Sequence, residues 1–218
     1  MWSRHAAASP AGAARRVAVR ARFLLAGVVL LGAVPGMAED AGLRLVQAAR
    51  EQVGVTLHYD PAYQRLDYPG GDLPAARGVC TDVLVRAYRR LGLDLQVLVH
   101  EDMLAAWGAY PKLWGLAKPD ANIDHRRVPN LAAYFTRHGE VLAVSREAAD
   151  YAAGDLVTWR LPSGVPHIGI VSDRAAADGT PLVVHNIGRG AREEDILFAY
   201  PITGHYRYLP AEGLAGDG

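Results

Sequence analysis

Three short apolar segments between residues 154 and 188 constrain the fold more than any other part of the sequence. The first two, at residues 156–159 and 168–171, are separated by a Pro-Ser-Gly turn, and the third lies at residues 181–188. Short runs rich in Val, Ile and Leu and bounded by Pro and Gly predict β-strands. Because short turns connect antiparallel neighbours, we predict an antiparallel sheet.

A helix that follows a glycine-rich loop is predicted upstream of these strands. Apolar residues recur at helical spacing from Val79 to Leu91, and Gly92 stands where a C-terminal cap belongs. The loop at residues 69–78 contains two prolines and three glycines, which exclude regular structure. Cys80, the single cysteine, is therefore predicted in the first turn of the helix, where the helix dipole favours a thiolate.

A single cysteine indicates catalysis only together with other catalytic residues, since a buried and inert thiol is common. His167 opens the second predicted strand, and His185 and Asn186 end the third. Neighbouring antiparallel strands can bring one of these two polar residues beside the imidazole of His167, and only one, because successive residues point to opposite faces. The pattern predicts a nucleophile, a base and a polar orienting residue. Zinc held by Cys80, His167 and His185 is the alternative.

The N-terminus has the layout of a secretory signal peptide. Its first 22 residues contain five arginines and no acid, residues 23–34 are apolar or small, and Gly36 and Ala38 precede a predicted cut. The apolar run is shorter than the roughly 20 residues of a membrane span, although an uncleaved anchor is the alternative. We predict a signal peptide at residues 1–38, export to the periplasm, no membrane span after cleavage, and one domain at residues 39–218.

The charge balance argues against a nucleic-acid partner. The whole chain has 23 basic and 23 acidic residues, and without residues 1–38 the balance becomes 18 basic against 23 acidic. Nucleic-acid binding requires a clustered basic excess. We expect no nucleic-acid partner and no cofactor.

Four blocks resemble, in order, the core of NlpC-type cell-wall peptidases, which are papain-like cysteine hydrolases; the blocks are GVCTDVLVRAYRRLG, AAGDLVTWR, HIGIVSD and VVHNIG. The resemblance implies an α+β papain-like fold with the nucleophile helix packed on an antiparallel sheet. It also implies that Cys80 is the nucleophile, His167 the base and His185 the third residue, with Asn186 as the alternative.

The resemblance further implies that Tyr68 positions the substrate or its oxyanion, and we expect Asp82 to contribute to the same task. The sequence departs from the usual Asp-Cys-Ser-Gly around the nucleophile, and residues 93–138 form an inserted block that we predict to be helical. From about residue 59 to residue 208 the chain also resembles a bacterial exported family of unknown function, of the YijF type, in blocks such as YPGGD, PDANIDHRRVPNL and ITGHYRY. That family implies the same fold without naming a substrate.

The inserted block contains PDANIDHRR, which has two interpretations. In the first interpretation, a substrate groove is lined by Asp124, His125 and Arg126, because Arg binds the carboxylates of peptidoglycan peptides in a bidentate fork. In the other they belong to a polar turn. Acids at alternate positions also resemble the start of a calcium loop, but His125 and Leu131 occupy its Gly and Glu positions, so we predict no metal.

We therefore expect an exported cysteine peptidase or amidase that cleaves an amide bond, with peptidoglycan or another peptide as substrate. Two alternatives stay open: an acyltransferase or amidase with a substrate outside the wall, and a non-catalytic envelope-binding module. A regulatory partner is plausible for a wall hydrolase, but the sequence does not identify one.

Overall fold

The structure is a computed structural model, and it describes residues 35–209. Within these residues the chain forms four α-helices and eight β-strands. The helices are α1 (Pro35–Arg50), α2 (Cys80–Arg90), α3 (Leu95–Ala105) and α4 (Val128–His138). The strands are β1 (His58–Tyr59), β2 (Arg77–Gly78), β3 (Glu140–Val141), β4 (Leu156–Arg160), β5 (Pro166–Ala175), β6 (Pro181–His185), β7 (Arg192–Glu194) and β8 (Ile202–Arg207).

Six strands form one antiparallel sheet in the order β3-β8-β4-β5-β6-β7. The predicted hairpin is present as β4 and β5, in which Trp159 lies opposite His167. The third predicted strand pairs with β5 as β6. The antiparallel sheet expected from the sequence is thus confirmed, although β5 continues four residues beyond its predicted end.

The two faces of the sheet have different partners, as the alternation of side chains requires. Ile168, Ile170 and Val184 form one buried cluster with α1, α2 and α4. On the opposite face, Trp159 and Val183 pack in a second cluster under the segment that precedes β8. The predicted α+β arrangement, with the cysteine helix packed on an antiparallel sheet, is therefore confirmed.

The inserted residues 93–138 fold mainly as α3 and α4, joined by 3₁₀ turns at Trp107–Ala109, Leu113–Gly115 and Asp124–Arg126. Helix α4 packs on the sheet through Phe135, whose ring centroid lies 6.2 Å from that of Tyr206 in β8. The insertion therefore extends the helical layer on the face of the sheet that also carries α2.

The predicted signal peptide falls largely outside the described residues. Its cut after Ala38 lies in the first turn of α1, and residues 1–34 are outside the described part. Within residues 35–209 no helix combines the length and the apolar character needed to cross a membrane.

Candidate active site

Helix α2 begins at Cys80 because the residues on either side fix its first turn. The Asp82 carboxylate accepts a hydrogen bond from the Val79 backbone N–H (2.7 Å), which caps the helix start. The side chain of Asn186 donates to the Gly78 carbonyl (2.9 Å) and so ties the preceding loop to the end of β6. These contacts hold the cysteine where β5 and β6 meet the helix.

The Cys80 thiol lies against the start of β5. The side chain is 4% exposed, and the backbone N–H of Ile168 favours the thiolate form of its sulfur. Burial raises the pKa of the thiol to about 12, although the N–H groups of Ile168 and Thr81 act in the opposite direction. The sequence favoured a thiolate at a helix start, and that expectation was wrong for this resting structure because desolvation outweighs the helix start.

The structure brings His185, rather than Asn186, to His167. His167 Nε2 lies 3.1 Å from His185 Nδ1, and the two rings meet edge to face with centroids 5.2 Å apart. Gly169 makes this possible, since a Cβ there would lie 2.5 Å from Val183 Cγ1 and 3.2 Å from His185 Cβ. Asn186 points to the other face of the sheet, toward Gly78.

The free nitrogen of His167 is Nδ1, which takes part in no hydrogen bond within residues 35–209. His167 is one residue from Ile168, whose N–H contacts the thiol. Burial, reinforced by the neighbouring His185, lowers the pKa of His167 to about 3. At neutral pH the thiol and the imidazole are therefore both uncharged.

Tyr68 lies at the surface of the described structure. It is 44% exposed and packs edge to face on His100, with ring centroids 5.4 Å apart. The tyrosine beside the site is Tyr59 in β1, whose pKa is raised to about 12 by burial and by charge on Cys80 and Asp82. Only the parallel pairing of β1 with β2 brings Tyr59 to Gly78, and no spacing in the sequence indicated it.

Asp82 and Arg126 form a buried ion pair instead of lining a groove. Arg126 Nε lies 3.0 Å from Asp82 Oδ1, and their side chains are 1% and 4% exposed. The guanidinium also donates to the carbonyls of Asp60 (2.8 Å) and Ala62 (3.0 Å). The pair therefore holds the loop after Tyr59 against the start of α2.

Asp124 and His125 also lie in the interior, contrary to the groove interpretation. Asp124 Oδ2 is 3.0 Å from His100 Nδ1 and accepts the N–H of Asp120 (2.7 Å). Asp120 and Asn122 use their side chains in local turn contacts. No group of three or more His, Cys, Asp or Glu within the described ranges is arranged to hold a metal ion.

The buried histidines predict a loss of stability in acid. Burial, with the charges of Arg89 and Arg126, lowers the pKa of His125 from 6.5 to about 3. Below about pH 6.5 this histidine is protonated in the unfolded chain but not in the folded protein. The free energy of unfolding is therefore highest above that pH and falls as the pH drops toward 3. Replacing His125 with phenylalanine is expected to reduce the loss between pH 7 and pH 5 by about 2 kcal/mol.

Urea unfolding of the wild type and of His125→Phe at both pH values measures this difference. An exposed histidine, His58, provides the matched control His58→Phe, which should leave the acid loss unchanged. Equal acid losses in the wild type and His125→Phe would show that His125 is protonated in the folded protein.

A cavity of about 330 Å³ lies beside the strand that holds His167. Val128, Pro129 and Ala132 of α4 form one wall, and Thr158 and Pro166 belong to the opposite wall. Its mainly apolar lining suits an apolar side chain of a ligand, such as a methyl group or a larger one. The cavity is on the same face of the sheet as α2.

Three comparisons relate the chain to known proteins. Among solved structures, NlpC1 from Trichomonas vaginalis aligns with a TM-score of 0.44 at 15% identity, and the alignment covers 80% of this chain and 46% of that one. The chain thus spans less than half the length of that protein. An N-acetylmuramoyl-L-alanine amidase from Bacteroides uniformis ATCC 8492 aligns with a TM-score of 0.44 at 12% identity, covering 78% of this chain and 100% of that one.

Sequence comparison is more specific than these structural similarities. The chain is 57% identical over 170 residues to the uncharacterized protein YijF of Escherichia coli (strain K12), covering 78% of this chain and 83% of that protein. The model of a domain of unknown function, DUF1287, matches residues 46–208. On both grounds the chain belongs to the DUF1287 family.

Proposed function

We propose that the protein is an exported cysteine hydrolase that cleaves an amide bond in peptidoglycan peptides. The observation that carries the proposal is the thiol of Cys80 at a helix start, against the strand that holds the His167–His185 pair. The substrate class rests on the resemblance of the sequence blocks to NlpC-type cell-wall peptidases. Export to the periplasm is part of the proposal and rests on the signal-peptide pattern.

Because the thiol and the imidazole are both neutral at rest, the thiol would attack with general-base assistance. His167 Nδ1 takes the proton as the Cys80 sulfur bonds to the amide carbon. The backbone N–H of Cys80 and the Tyr59 hydroxyl, which replaces Tyr68 in this role, would stabilise the oxyanion. The C–N bond then breaks as His167 returns the proton to the leaving amine, and water hydrolyses the thioester to release a carboxylate and the thiol.

The cavity beside Pro166 suits a side chain of the substrate. Pro166 is two residues from Ile168, whose N–H contacts the sulfur, and this separation corresponds to about 7 Å along a strand. When the acyl group of one substrate residue is bonded to the sulfur, the side chain of the next substrate residue would therefore reach the cavity. Arg160, which is exposed at the cavity rim, suits a carboxylate on such a substrate.

Digestion of purified peptidoglycan sacculi tests the proposal. The wild-type protein is expected to release new fragments that mass spectrometry identifies, and Cys80→Ala is expected to release none, because it removes the atom that bonds to the substrate. Thr81→Ala, which removes a neighbouring buried hydroxyl, is a control for damage to the helix start. Release of the same fragments by Cys80→Ala would contradict a thiol mechanism.

A non-catalytic envelope-binding module is the second candidate, and the buried thiol with a raised pKa favours it. That function predicts no fragments from any variant, together with binding of sacculi that Cys80→Ala leaves intact. Fragments released by the wild type alone would exclude it. An acyltransferase would instead yield fragments joined to a second amine.

A further inference from the structure

We propose that Glu194 is a positioning residue that sets the ring tautomers of His185 and His167. The inference rests on the proposed function, because it assigns Glu194 a role in preparing His167 as the base. Glu194 was not singled out by any sequence pattern, and it reaches the site through the edge strand β7.

Glu194 faces the side of His185 that is remote from His167. His185 Nε2 lies 3.2 Å from Glu194 Oε2, and the side chains are 0% and 27% exposed. The register of β6 and β7 pairs Val183 with Glu194, which puts Glu194 on the same face of the sheet as His185. Three groups therefore form a chain: His167, His185 and Glu194.

The contact is within ion-pair distance but is not aligned as a hydrogen bond. Within the described residues, His185 Nε2 makes no hydrogen bond although it is buried. A buried ring nitrogen without a partner is costly, and the carboxylate of Glu194 is the acceptor within reach. A rotation of either side chain that aligns the N–H with the carboxylate would complete the bond.

The direction of the hydrogen bond between the histidines follows from this acceptor. A carboxylate only accepts, so His185 carries its proton on Nε2 and presents a bare Nδ1 to His167. His167 Nε2 must then donate, which leaves His167 Nδ1 without a proton. That nitrogen is the one with no hydrogen-bond partner in the described structure, and it is the one that can take the thiol proton.

Loss of the carboxylate allows the opposite arrangement. If His185 carries its proton on Nδ1 and donates it to His167 Nε2, the proton of His167 moves to Nδ1. The base then has no lone pair for the thiol. In the wild type, the charged and titratable groups that face His185 are His167, Glu194 and Arg192, and Arg192 Nη1 lies 3.6 Å from Glu194 Oε1.

Nitrogen NMR of the histidine rings in the full-length protein, without substrate, tests the assignment directly. The wild type is expected to show both His185 and His167 protonated on Nε2. In Glu194→Leu, which removes the acceptor, both rings are expected to shift toward the Nδ1–H form. Asp195→Asn is the matched control, since it removes an exposed neighbouring carboxylate and should leave both tautomers unchanged.

The rate at which sacculi release peptidoglycan fragments supplies the second readout. Glu194→Leu is expected to lower kcat by about 10- to 100-fold, the range found for groups that orient metal-bound histidines, with little change in KM. Glu194→Gln keeps an acceptor oxygen and should lose less activity than Glu194→Leu.

The outcomes separate this inference from the proposed function. Unchanged tautomers in Glu194→Leu would overturn the role of Glu194, whether or not the protein cleaves peptidoglycan. A tautomer shift in a protein that cleaves nothing would support the positioning of His167 by Glu194 and overturn the hydrolase. A shift together with a lower kcat would support both.

Discussion

Replacing His167 with alanine is expected to lower the rate of hydrolysis by about 10²- to 10⁴-fold, the usual range for loss of a general base. The effect should be near the upper end because burial raises the pKa of the Cys80 thiol to about 12. A thiol with such a pKa forms almost no thiolate at neutral pH without a base. The measurement is the kcat for release of peptidoglycan fragments from sacculi.

Two controls identify the cause of that loss. His58→Ala removes an exposed histidine and should retain wild-type activity. Added imidazole should restore part of the activity of His167→Ala, since the substitution leaves a space with the shape of an imidazole ring. Wild-type kcat in His167→Ala would contradict the assignment of the base.

Replacing Arg126 with leucine is expected to destabilise the protein by about 3–5 kcal/mol, the usual cost of leaving a buried charge without its partner. The Asp82 carboxylate would keep the N–H of Val79 but lose the guanidinium. The carbonyls of Asp60 and Ala62 would lose their donors as well. The free energy of unfolding in urea measures the effect.

Arg90→Leu is the matched control for this substitution. Arg90 forms an exposed pair with Glu51, in which the side chains are 73% and 55% exposed. Exposed pairs contribute about 0–1 kcal/mol, so this variant should unfold close to the wild type. Similar losses in the two variants would show that the buried pair does not hold the start of α2.

The two substitutions address different properties of one small region. His167 concerns the chemistry of the thiol, whereas Arg126 concerns the position of the helix that carries it. Arg126→Leu should therefore reduce activity in proportion to unfolding, and His167→Ala should reduce activity in a fully folded protein. Circular dichroism at the assay temperature separates the two cases.

Local patterns were sufficient for the elements that carry the site. The apolar spacing after Cys80 placed α2, and the turn at residues 162–164 placed β4 and β5. These predictions succeeded because helix and strand periodicity depend on residues within a few positions of one another. The same patterns put Cys80 at a helix start and His167 at the beginning of a strand.

Partner choice and burial depended on the tertiary structure. The alternation of side chains along a strand required that one of His185 and Asn186 face His167. The register of β5 and β6 places His185 there. The approach of Tyr59 and the contact of Glu194 with His185 both depend on strand pairings that local spacing does not encode.

By itself, the sequence determined which residue types begin each element of the site and in what order they follow along the chain. The tertiary structure decided that the thiol is buried and neutral, and that Arg126 pairs with Asp82 instead of a ligand. The physical reason is that pKa and ion pairing depend on desolvation and on distances between segments far apart in the chain. Those quantities exist only once the helices have packed on the sheet.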